Sequence, residues 1–155
     1  MPDISPPTRS TRKLERLLAA LAAAICLILC TLIWQVLSAQ QPMWPLPALY
    51  LLEMPAASIL GLWDIWSGET RPSPSGGIVT WAVTGILFAF VIIGAWSVGF
   101  LFIPVAGLFG IAAVLSDRRQ GHNLVVHLGV GLAAALAQTA LMLAVIRFLY
   151  TGAIF

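Results

Sequence analysis

Charge is what this sequence has least of. Only 9% of its 155 residues are Asp, Glu, Lys or Arg, where soluble domains carry about 25%. Six acids and eight bases cannot coat a water-soluble particle of this size, and so few bases exclude nucleic acid as a partner. A disordered chain is excluded by the opposite excess, since 60% of the residues are hydrophobic. Cysteine is scarce too, which excludes a disulfide framework. Cys26 and Cys30 lie one helical turn apart in an apolar run. As half of a metal site they lack neighbours, because a structural zinc ion takes four ligands. The plainer account is two small buried hydrophobes. Catalytic signatures are missing as well: no Gly-rich phosphate loop, no Ser-centred elbow, no HExxH and no CxxC. The cofactor is left open by the sequence and no metal site is expected, His127 as a haem or metal ligand being the lesser reading beside a structural histidine.

What the sequence has in plenty is long apolar runs, with a mean hydropathy of +0.97. The expected fold is therefore an all-α polytopic membrane bundle. Residues 1–16 read as a basic cytoplasmic tail carrying Arg9, Arg12, Lys13 and Arg16. Residues 17–155 read as one transmembrane unit, with helices at about 17–37, 47–66, 78–95, 98–115 and 124–150. The first run is too long for a signal-peptide core, and Leu37 is a poor residue three before a cut, so it is expected to be retained.

The third and fourth helices come from a length argument. Ile78 to Leu115 is 38 residues without a charge, about 57 Å as one helix, against a hydrocarbon core of about 30 Å. Two short helices with a tight turn at Gly94-Ala-Trp-Ser-Val-Gly99 solve this; a break at Pro104 is the alternative. The 47–66 run is the least comfortable, since it holds Glu53, Pro55, Gly61 and Asp64. It either spans as a kinked helix or dips in and returns, which leaves four helices plus a re-entrant or interfacial segment.

Orientation follows from the bases. With five spans, Arg9, Arg12, Lys13, Arg16, Arg71, Arg118 and Arg119 share one side and Arg147 stands alone on the other. The positive-inside rule then puts the N-terminus in the cytoplasm and the chain in the cell (inner) membrane. Aromatic belts fall into place at the outer rim (Trp34, Trp44, Tyr50, Trp96, Tyr150) and the inner rim (Trp63, Trp66, Trp81). Helices in lipid approach closely only through small residues. Candidates are Ala19/Ala23 and Ala20/Ala24 on the first helix, Ala106/Gly110 on the fourth, and Gly129, Ala133, Ala137 with Gly131 and Ala135 on the last. Such stripes serve packing within one bundle or association between chains.

Intramembrane charges are costly, about 2.5–3.5 kcal/mol for Asp at a helix centre, so they come first as functional candidates. Glu53 lies roughly 5 Å from the midplane. Pro55 frees the carbonyl of Leu51 beside it. Gln138 has a matching depth on the last helix, and a neutral Glu53 could donate to its carbonyl. At the inner rim, Asp64 is expected to pair with His127 or with Arg118 or Arg119. A packed structural residue is the plainer account for both acids and for His127.

The class expected on these grounds is a small non-catalytic subunit, with the bilayer and a larger membrane complex or homo-oligomer as its partners. A proton-linked permease using Glu53 is the first alternative. A lipid-headgroup enzyme at the membrane surface, using Asp64, Arg71, Asp117, Arg118, Arg119 and His122, is the second.

Overall fold

A computed structural model describes residues 9–39, 46–67, 77–94 and 98–151. These form five α-helices: α1 (Arg9–Ser38), α2 (Leu46–Ser67), α3 (Ile78–Ile93), α4 (Ile103–Gln120) and α5 (Leu124–Thr151), with a 3-10 turn at Gly99–Phe102 before α4. The protein is an all-helical membrane bundle: α1, α2, α4 and α5 are long and apolar enough to cross a bilayer, and α3 is a shorter apolar helix.

Contacts between helix ends fix an up-and-down arrangement. Glu15 near the start of α1 meets Arg119 near the end of α4. Asp64 near the end of α2 meets Thr80 near the start of α3. Asp117 near the end of α4 meets His127 near the start of α5. The helices therefore alternate in direction, and all five bring one polar end to the same end of the bundle.

α2 is one unbroken helix through Pro55. At 22 residues it measures about 33 Å, so it does not dip in and return. The short element is instead α3, whose 16 residues give about 24 Å. It sits among α2, α4 and α5 and buries Thr80, Trp81, Val83, Gly85, Leu87, Ala89 and Phe90. Protein, rather than lipid, covers much of its surface.

Two helices run further than their hydropathy suggests. α1 starts at Arg9, so much of the expected tail is helical; Arg, Lys, Glu and Leu are good helix formers whether or not they are apolar. α4 continues through Ser116-Asp-Arg-Arg-Gln120, expected to lie in a loop. Arg118 and Arg119 there complement the helix C-terminus. Gly121, left-handed at φ 69°, stops the helix. Asn123 then opens α5 by accepting the Val125 amide proton on its Oδ1 at 3.1 Å.

The expected turn after α3 is built on its two glycines. The Gly99 amide donates to the Gly94 carbonyl at 2.7 Å, and a Cβ on either residue would collide with the backbone of the other. Residues 95–97, with Trp96, lie outside the described residues, as do Trp44 and Arg71.

Small residues set the interhelical contacts, though not all the expected ones. On α1 the inward stripe is Ala19, Ala22, Ala23, Cys26, Cys30 and Ile33, the one-sided recurrence of a helix face. Ala106 is buried on α4. Both cysteines are free and buried. On α5 the row that packs is Gly131, not Gly129, Ala133 and Ala137, which are exposed. Gly131 meets Gly85 of α3, where a Cβ on Gly85 would overlap the Gly131 carbonyl oxygen. α5 packs chiefly on α3, with a slight contact to α4.

Candidate functional site

Two polar groups of side chains are built into the bundle. The first is at its middle. Gln138 Nε2 donates to Glu53 Oε1 at 2.7 Å, bridging α5 and α2. The depths of these two residues agree as expected, but the donor is the amide rather than the acid. Gln138 is buried, whereas Glu53 is only half-buried. Glu53 lies on the wall of a groove of about 450 Å³ between α2 and α5, lined by Leu49, Tyr50, Leu52, Glu53, Gln138, Leu141, Met142 and Val145. It is therefore not in the sealed interior of the bundle. Pro55, also half-buried, lies two residues on. The Tyr50 ring packs edge-on against Phe90 at 5.8 Å. Its hydroxyl is shielded and has no hydrogen-bond partner among the described residues.

The second group lies where the helix ends converge. Asp117, 1% exposed, is its hub. Its Oδ2 accepts the indole N–H of Trp81 at 2.8 Å, and its Oδ1 lies 2.7 Å from His127 Nδ1. Position on α4 explains this. Asp117 follows Ala106, Phe109 and Ala113 on the buried face of the helix, so its carboxylate is carried into the protein, where it needs donors. Trp81 is accordingly not a member of an interfacial belt: it is 5% exposed and holds α3 to α4. Trp63 and Trp66 do lie on the outside of the bundle.

The expected pairing of Asp64 with a base is overturned. Its Oδ2 accepts from the Thr80 amide at 3.1 Å and from the Thr80 hydroxyl at 2.7 Å. Thr80 is the third residue of α3, and Gly77, the residue before that helix, offers no side-chain cap. The carboxylate thus satisfies an orphan donor of a helix N-terminus and lies where the helix dipole favours negative charge.

Arg119 likewise ignores Asp64. Its Nε donates to both carboxylate oxygens of Glu15, each at 3.1 Å. Glu15 is 2% exposed, so α1 and α4 share an ion pair whose carboxylate is buried and whose guanidinium is partly exposed. Arg118 is exposed. Nearby, the Arg16 guanidinium lies 5.8 Å from the centre of the Trp66 ring, joining α1 to α2.

Sequence reasoning gave Glu15 no role. The available signal was a single acid inside a run of four bases, placed on the row that continues to Ala19, Ala22 and Cys26. Compared with known proteins, the chain matches no family model, no curated protein and no solved structure.

Proposed function

We propose that the chain is a small non-catalytic subunit of a membrane assembly, seated in the cell (inner) membrane with its N-terminus in the cytoplasm, and that its α2–α5 groove receives a transmembrane helix of another chain. The observation that carries this is the Glu53–Gln138 pair. A carboxyl group midway along the bundle forms part of the wall of an open apolar groove, near a tyrosine hydroxyl without a partner among the described residues. Contact between such groups and lipid tails is costly. A helix presenting a small face and a Ser, Thr, Asn or Gln side chain would remove that contact and hydrogen-bond the Glu53 carboxyl group. The other acids among the described residues support a structural role, because each is used to hold helix ends together: Asp64 on Thr80, Asp117 on Trp81 and Glu15 on Arg119. The clustering of bases supports the orientation.

Proton handling at Glu53 is the second reading, favoured by the same openness of the groove. One set of variants separates the two. Purified in mild detergent, the wild-type chain is expected in an assembly heavier than its own 16.6 kDa. Glu53→Gln keeps a hydrogen bond to Gln138 and should keep the assembly. Glu53→Leu removes the group that the docked helix would hydrogen-bond and should weaken association roughly three- to thirtyfold, the worth of one interhelical hydrogen bond. A monomeric wild-type protein contradicts the proposal. A Glu53→Gln protein that assembles normally but loses proton-coupled flux in liposomes moves the assignment to transport.

A further inference from the structure

The two histidines of the chain both lie in the Asp117 cluster. His122 and His127 have their ring centres 5.1 Å apart, edge to face. Asp117, His122 and His127 each offer a ligand atom, and these atoms all lie within 4.8 Å of one another. The three residues recur at intervals of five along the turn from α4 to α5, and the turn itself is fixed. Gly121 is left-handed, and the His122 amide donates to the Asp117 carbonyl at 3.1 Å.

Two details set this cluster apart from a simple ion pair. His122 Nδ1 is buried and without a hydrogen-bond partner among the described residues, and it stands 4.0 Å from Asp117 Oδ1. That is too far for a hydrogen bond. It is close to the separation of two ligands on one ion, about 3.3–3.6 Å for tetrahedral bonds of 2.0–2.2 Å. The cluster also has a roof that only glycine permits. Gly77 has φ 87°, and a Cβ there would stand 3.1 Å from Asp117 Oδ1 and 3.9 Å from His127 Nδ1.

We infer that Asp117, His122 and His127 form a binding site for a divalent transition-metal ion of the zinc class. Two imidazoles and a carboxylate suit zinc, cobalt or nickel rather than calcium or magnesium, which take all-oxygen shells. Three protein ligands leave a fourth position for water. The indole N–H of Trp81 holds Asp117 Oδ2 and so orients the carboxylate, as partners of a ligand usually do. On binding, the hydrogen bond between His127 and Asp117 opens and the ring proton of the neutral imidazole is carried on Nε2, which leaves Nδ1 free to ligate. The ion would then fasten α5 to α4, two helices that otherwise barely touch.

The test uses full-length protein in detergent, purified without a histidine tag and stripped with EDTA. Zinc chloride and cobalt chloride are the probes. The expected result is uptake of one equivalent of zinc, measured by competition with a chromophoric chelator, and a cobalt visible spectrum of a four-coordinate nitrogen–oxygen site. His122→Ala should cut the zinc affinity at least about tenfold. It should leave the metal-free thermal midpoint nearly unchanged, because His122 Nδ1 has no hydrogen-bond partner among the described residues. Zinc uptake that is equal in wild type and variant overturns the inference. So does the absence of zinc uptake or of that cobalt spectrum in the wild-type protein, a measurement that does not depend on the variant folding.

Discussion

Replacing Gly85 with leucine is expected to detach α5 from the bundle. In lipid no hydrophobic force draws α5 to α3, so their contact depends on close van der Waals approach. That approach is made at Gly85 and Gly131, where a Cβ on Gly85 would overlap a backbone carbonyl oxygen. Overpacking against side chains typically costs 1–3 kcal/mol because they can move aside. A main-chain carbonyl inside a helix cannot, so about 3 kcal/mol or more is expected, with Gly85→Ala already damaging. Since α5 packs chiefly on α3, little beyond the Gln138–Glu53 and His127–Asp117 hydrogen bonds would retain it. SDS titration of the detergent-solubilised protein, followed by tryptophan fluorescence and circular dichroism, gives the measurement. Gly107→Ala and Gly129→Ala are the controls. A Cβ at either position meets nothing within 4 Å, and Ala is the better helix former by up to about 1 kcal/mol. Gly85→Leu matching those controls would refute this account of the α3–α5 contact.

Asp117→Ala should be the most damaging polar substitution. The carboxylate is 1% exposed and joins α4 to α3 through Trp81 and to α5 through His127. Removing it leaves an indole N–H and an imidazole buried without their partner. An unsatisfied buried donor costs about 1–3 kcal/mol, so with two such partners left behind a loss of about 2–6 kcal/mol is expected for Asp117→Ala. Asp117→Asn should lose less, because its carbonyl still accepts the indole proton. Both are measured in EDTA, so that the hydrogen bonds alone are compared. The near-ultraviolet circular dichroism of Trp81 should collapse only in the alanine variant. An alanine variant within about 1 kcal/mol of wild type would show that Asp117 is not the hub of the convergent helix ends.

What the sequence disclosed, and what it hid, follows from range and from helix rotation. Long apolar runs separate spans, so the five helices were legible, and the Gly94–Gly99 turn was legible because 38 uncharged residues exceed one bilayer crossing. The meeting of Glu53 with Gln138 was legible through depth alone, since rise per residue fixes height in a membrane. The pairing of Asp64 was not, because its partner is a backbone amide of α3, and counting charges directs attention only to bases. Glu15 and Arg119 are 104 residues apart, and no local spacing joins them. For α5 the height of each residue was readable but the rotation of the helix was not. The helix is apolar all round, so nothing marks which of its two small-residue rows faces the protein. The Gly129 row looked equivalent to Gly131 until Gly85 was seen to fit against only one of them. The boundaries of α1 and α4 were missed because hydropathy reports where lipid begins, and helices held by Glu15–Arg119 continue past that point.

The proposed topology is a bundle that crosses the membrane five times, with its polar convergence of helix ends on the cytoplasmic side. Its most direct test is cysteine labelling in intact cells with a membrane-impermeant maleimide, comparing Gln120→Cys at the end of α4 with Tyr150→Cys at the far end of α5. The native Cys26 and Cys30 are buried and give little background. The account predicts that Tyr150→Cys is labelled from outside and that Gln120→Cys is labelled only after the membrane is opened. Labelling of Gln120→Cys in intact cells, or the same accessibility at both positions, would contradict it.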